Sequence, residues 1–219
     1  MKKSSKEIIE TIVDVINPFF INNEFSLRNK RFFELDVDGG YKYQYEIVTS
    51  KNKGYFSLSL RLNLLNKSLM CPVNNVLEKT LKDERYKHPP NWSDKDIEDS
   101  IKSRLSNSTV ASLSDWRRFK DDNEPLDEFR KRFSIWMCIF DELDEVVNWR
   151  DQVIKSANYS LNWFSSVSNE DWIIENTFYP SLVILKMKDD DRILSKYKDV
   201  FLKSRDKQEV ELFFEHLVS

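Results

Sequence analysis

A chain of 219 residues is long enough to bury a real core, as one domain or as two small ones in contact. With 40% hydrophobic and 32% charged residues it reads as a soluble globular protein, not a disordered one, and no apolar run approaches the ~20 residues needed to cross a bilayer. The net charge of −3 is unevenly shared: residues 1–70 hold 11 Lys/Arg against 8 Asp/Glu, and residues 71–219 hold 23 against 29. An acidic balance over the longer part argues against its gripping a nucleic-acid backbone, and suits a basic protein partner.

In chain order, residues 4–21 predict a helix. Ser4 and Glu7 can form a capping box, and Ile8, Ile9, Ile12, Val13, Ile16, Phe19 and Phe20 give a wide apolar face. Pro18 is expected to kink or restart it near Asn17. Three runs of alternating apolar and polar residues come next, between Lys30 and Asn66, with the period of half-buried strands, and predict a three-stranded antiparallel meander. A three-residue loop, Asp38-Gly39-Gly40, sets Val37 opposite Tyr41, Leu35 opposite Tyr43 and Phe33 opposite Tyr45. A four-residue loop, Lys51 to Gly54, sets Tyr43, Tyr45 and Ile47 opposite Leu62, Leu60 and Leu58. One sheet face is then apolar and covered by the first helix; the other, with Glu34, Asp36, Lys42, Gln44, Glu46 and Arg61, is mixed in sign and solvated.

Cys71 to Asn75 reads as a break, with a modest helix over 76–86. Ser93 caps a helix through Leu105, carrying Ile97, Ile101 and Leu105 on one stripe. Residues 106–124 read as a polar loop that contains Trp116-Arg117-Arg118-Phe119. From Pro125 the spacing of Leu126, Phe129, Phe133, Trp136, Met137, Phe140, Leu143 and Val147 predicts the strongest helix of the chain, continuing over 150–164. Ser168 and Asp171 suggest another cap, Pro180 divides the helical sequence beyond it, and further helices run to Phe201 and over 206–217. The fold class is therefore α+β: an N-terminal helix on a three-stranded meander over 1–70, short helices and a polar loop over 71–124, and a helical portion over 125–219.

The three glycines, Gly39, Gly40 and Gly54, all fall in meander turns. None remains for a phosphate-cradling loop, a dinucleotide fingerprint or a nucleophile elbow. The two cysteines, Cys71 and Cys138, have no partner at metal-ligand spacing, and with no apolar signal core at the N-terminus a reducing, cytoplasmic setting is expected. His88 and His216 are isolated from any local nucleophile pattern. Neither catalytic nor metal-ligating residues nor a cofactor are assigned.

Two features point outward. Asp141, Glu142, Asp144 and Glu145 lie on the far side of the expected helix, where carboxylates oppose the dipole at its C-terminal end; neutralisation from within the fold, by Arg150 or by Arg117 and Arg118, is the favoured account, and an acidic ridge awaiting a basic partner the sharper one. Trp116, Arg117 and Arg118 are residue types that anchor interfaces, set here in polar sequence; the competing account plugs that loop back into the core. The Tyr41, Tyr43, Tyr45 stripe is a stacking platform for bases if open, and a covered sheet face if not; the opposed leucines favour the covered face.

The first helix, the Lys30-Arg31-Phe32-Phe33 entry into a short meander and the trailing acidic helices resemble, over the first third of the chain, small uncharacterised bacterial helix-plus-meander proteins. Some of those are immunity proteins encoded beside toxins. The resemblance implies a non-catalytic protein-binding module that neutralises a toxin partner. The alternatives are nucleic-acid binding through the meander face, or an enzyme whose site is assembled from residues distant in sequence.

Overall fold

The computed structural model describes residues 4–52, 54–105, 107–134 and 137–219. Among them the order of elements is α1 (Ser5–Asn22), β1 (Ser26–Arg28), β2 (Phe32–Val37), β3 (Tyr41–Asn52), β4 (Tyr55–Leu65), α2 (Lys67–Leu81), α3 (Asp94–Leu105), β5 (Thr109–Leu113), α4 (Leu126–Arg132), β6 (Met137–Ile139), α5 (Trp149–Val167), α6 (Glu170–Asn176), α7 (Tyr179–Met187), α8 (Ile193–Lys203) and α9 (Lys207–Val218). The class is α+β, as expected. The sheet is not a three-stranded meander: among the described residues it has six strands, in the order β1-β2-β3-β4-β5 with β6 also pairing β4. Two compact units result, neither contiguous: residues 1–65 with 111–167, and residues 66–110 with 168–219. None of the described helices is long and apolar enough to cross a membrane.

The first unit is built on the sheet. Its first hairpin has the expected register, Val37 facing Tyr41, Leu35 facing Tyr43 and Phe33 facing Tyr45, with Gly39 at φ 72° and Gly40 at φ 73° turning the chain. The second hairpin is offset. Its strands run on until Asn52 faces Tyr55, leaving Gly54 and residue 53, which lies outside the described residues, as the whole connection. Tyr43, Tyr45 and Ile47 therefore oppose Leu64, Leu62 and Leu60. An offset of two keeps every side chain on its face, so the apolar side of the sheet is the predicted one.

α1 begins at the expected capping box, in which Glu7 accepts from the Ser4 backbone at 2.6 Å. It continues through Pro18 without restarting. Ile8, Ile12, Ile16 and Phe20, four residues apart, are all fully buried, and the Phe20 ring stacks 4.4 Å from Phe33 and lies 4.9 Å from Tyr45. This helix is not the only cover. α5 also closes the apolar face, with Phe164 stacked 4.7 Å from Tyr43 and Ser156 bonded at 2.5 Å to the Tyr45 hydroxyl. Ser156 Oγ donates to the Val153 carbonyl at 2.7 Å, so Tyr45 is the donor to Ser156. Burial pushes the Tyr45 phenol well above its ordinary pKa, with the Ser156 bond offsetting part of the shift. Tyr45→Phe keeps the packing and the Ser156–Val153 bond; it should lower stability by about 1 kcal/mol in urea unfolding.

The opposite sheet face is a cross-strand ladder less solvated than its composition suggests. Glu34 accepts from Lys42 at 3.1 Å and from Gln44 at 2.7 Å, and Asn63 donates to Gln44 at 2.9 Å while itself buried.

The largest correction concerns the strongest predicted helix. α4 stops at Arg132, and Met137–Ile139 forms β6 against Phe56–Leu58 of β4. The reason lies in the sequence. From Phe133 to Phe140 the apolar residues satisfy the strand period as well as the helical one, and the alternation of buried Met137 and Ile139 with exposed Cys138 and Phe140 is the one realised. Trp136, which the helix would have placed on the same face, lies outside the described residues.

The second unit is helical. α2 spans the expected break and passes through Pro72, with the Asn66 side chain capping it by accepting from Leu69 N at 2.9 Å. Val73, Leu77 and Leu81 of α2 are buried, as are Leu182, Val183 and Leu185 of α7, Val200 of α8, and Val210 and Phe213 of α9. Tyr179 stacks on Phe213 at 4.1 Å and Tyr197 on Phe214 at 4.2 Å. α3 opens on a capping box between Ser93 and Asp96. α6 is capped by Asn169, one residue beyond the expected Ser168.

Candidate functional site

The four acidic residues of the expected ridge stand on no helix. Asp141, Glu142, Asp144 and Glu145 occupy a turn between β6 and α5, centred on a single 3-10 turn, Leu143–Glu145. Two of them organise the turn itself. Glu145 accepts from the backbone of Phe140 at 2.6 Å and of Asp141 at 3.3 Å. Asp144 accepts from the Trp149 indole at 2.9 Å and pairs with Arg150 at 3.5 Å. Buried Ile139, Leu143 and Trp149 pin the segment from beneath. Glu142 remains exposed at its tip, and beside the carboxylates Phe140 is 59% and Val147 73% exposed. An acidic turn that presents an aromatic ring and a branched aliphatic side chain is thus brought together in the first unit. The acidity of the turn is legible in the sequence. Its apolar members fit a core-facing helical stripe equally well, and that periodicity conceals them.

Trp116 is not part of an outward surface. It is fully buried and donates from Nε1 to the Leu60 carbonyl at 3.1 Å, with Phe133 at 5.4 Å and Phe119 at 5.5 Å. Phe119 in turn stacks on Tyr159 at 4.8 Å. The polar loop expected over 106–124 contains β5 and a 3-10 turn, Trp116–Phe119, so its aromatics plug it into the core. Arg117 and Arg118 are exposed, and Arg117 is held by Asp115 at 2.7 Å. Tyr45 is sealed, and one face of the half-buried Tyr43 ring lies against Phe164.

The second unit contains a charged cluster that the sequence does not announce. Glu209 of α9, 6% exposed, receives Arg104 of α3 in a bidentate pair at 2.7 and 2.8 Å. The Tyr179 hydroxyl donates to Glu209 at 2.6 Å and the Tyr86 hydroxyl at 3.1 Å. Burial works to raise the Glu209 pKa, but the Arg104 fork and the two hydroxyls hold it below the ordinary value. Burial, then Glu209 itself, pushes Tyr179 upward, and the same order of causes acts on Tyr86. Four donors fill the carboxylate's acceptor sites, so the group is a clamp joining α3, α7 and α9; it has no lone pair to offer a substrate.

Both histidines are held by ring hydrogen bonds. His88 Nε2 donates to the Leu81 carbonyl at 2.9 Å, and His216 Nε2 meets Asp83 at 2.9 Å. Asp83 also takes Arg85 in a bidentate pair, which together with the His216 contact holds its carboxyl far below the usual range. Among the described residues these ring nitrogens meet a carbonyl and a carboxylate rather than a nucleophile, and no group of His, Cys, Asp and Glu could hold a metal ion. Compared with known proteins, the chain matches no family model, no curated protein and no solved structure.

Proposed function

We propose that the chain is a cytoplasmic protein-binding module of immunity type, which docks a basic partner on the turn Phe140–Val147. The observation that carries the reading is the exposure of Phe140 and Val147 among four carboxylates on a turn pinned from within by Ile139, Leu143 and Trp149. A desolvated aromatic anchor supplies affinity, and the surrounding charge supplies steering and partner choice. Because Asp144 and Glu145 already hold the turn in shape, partner selection falls to Glu142 and the two apolar side chains.

The test is capture of a partner by tagged protein from a native lysate, at low and at high salt. The double variant Phe140→Ser, Glu142→Lys should reduce stoichiometric capture about tenfold, with an unchanged melting temperature. The wild-type complex should loosen as salt rises. Equal capture by the double variant, or no stoichiometric partner at all, removes the reading.

A further inference from the structure

Among the described residues the most exposed large apolar side chain is Leu202, at 76%, near the C-terminal end of α8. Leu194, near the other end of the same helix, is 59% exposed. Single surface leucines are ordinary, but these two belong to one row. Leu194, Lys198 and Leu202 follow at four-residue steps, which is the ridge along which helices most often cross one another.

The two ends of that ridge differ in shape and in charge. Beside Leu194 lies an open hollow of about 250 Å3, floored by Leu185, Ile193, Leu194 and Val218. Its rim is acidic: Asp190 is taken by Arg192 at 2.8 Å, which leaves Asp189 and Asp191 against Lys186. Leu202 instead stands outward, with exposed Lys198 one turn before it and exposed Arg205 three residues after it. One end is thus an apolar hole with an acidic rim, and the other an apolar knob with basic flanks.

Knob and hole lie about 12 Å apart along the helix, on either side of Lys198. A two-fold axis at Lys198 carries each knob to the other copy's hole in a single rotation, as a self-complementary contact requires. The two ridges then cross antiparallel at roughly −50°, with the acidic rim of one copy against the basic flank of the other. The same arrangement sets each α8 N-terminus beside the C-terminus of its counterpart, which suits the helix dipoles. At the axis the Lys198 stems pack while their ammonium groups reach out to water. A foreign partner would have to carry both features at this spacing, and a second copy carries them already. We propose that the chain forms a two-fold dimer through α8, with Leu202 of each protomer seated in the Leu194–Val218 hollow of its partner.

Sedimentation velocity of the full chain over a concentration series should show a reversible monomer–dimer equilibrium. Leu202→Ser removes the knob and Val218→Trp fills the hole, both from exposed positions. Each should weaken association about tenfold or more, with unchanged circular dichroism. Mixed together, the two variants should associate more tightly than either does alone, because the hole of the first still accepts the knob of the second. Phe140→Ser should leave the dimer intact, which separates this face from the acidic turn. A monomer at every concentration, folded variants that associate as tightly as wild type, or a mixture no tighter than its components overturns the proposal. Species that grow beyond two copies overturn it as well, since they mark a head-to-tail contact that does not close.

Discussion

Replacing Glu209 with alanine should lower the stability of the helical unit by about 3 kcal/mol, the largest effect expected of any single charged residue here. The carboxylate is 6% exposed and accepts from Arg104, Tyr179 and Tyr86 at once. Its removal leaves the Arg104 guanidinium and the Tyr179 hydroxyl without this acceptor, while Tyr86 keeps Asp206 at 3.2 Å. Arg104 keeps 38% of its side-chain surface in solvent and can rehydrate in part, which holds the figure below that of a fully enclosed pair. Urea unfolding, read together with hydrogen exchange over residues 66–110 and 168–219, measures the effect. A loss below about 1 kcal/mol would reduce the clamp to an ordinary surface pair.

The clamp also has a pH signature. The folded pKa of Glu209 lies below its unfolded value, so its contribution is complete above the unfolded carboxyl range, near ~4.3, and is lost as pH falls through the folded value. The stability gap between wild type and Glu209→Gln should therefore be flat around neutrality and narrow below about pH 4.

Trp116→Ala should cost the sheet unit about 3–5 kcal/mol, because it opens a cavity beneath Phe119 and Phe133 and removes the indole donor to the Leu60 carbonyl. Trp116→Phe should recover most of the packing without the indole hydrogen bond. Arg118→Ala, two residues away and exposed, should stay within about 0.5 kcal/mol of wild type. Thermal and urea midpoints of the three variants separate a core plug from a partner anchor, since an anchor changes binding and leaves the midpoints alone.

These residues also mark where local reading succeeds. The first hairpin is legible because Gly39 and Gly40 fix the turn and Phe33, Leu35 and Val37 alternate up to it. The second hairpin is legible only in parity: any even loop keeps Tyr43, Tyr45 and Ile47 facing leucines, so alternation cannot count the loop. The stretch from Phe133 to Phe140 satisfies both periods, and pairing with β4, invisible locally, decides between them. On α5 the buried face includes Gln152, Ser156 and Ser160 while Ile154 points outward, so an apolar stripe understates what is inside. Glu209 is illegible for a different reason. Arg104 and Tyr86 lie more than a hundred residues away, and no spacing rule reaches that far.

The chain enters the helical unit at residue 66, leaves it at 110 and returns to it at 168. During synthesis α2 and α3 therefore emerge long before α9, whose Glu209 and Phe213 complete their surroundings, while the sheet unit has all its residues once Val167 has been made. For that interval the nascent protein carries two amphipathic helices with their apolar sides uncovered. The synthesis of residues 111–167, before α6 to α9 exist, is thus the period in which this molecule is most exposed to chaperones, proteases and self-association.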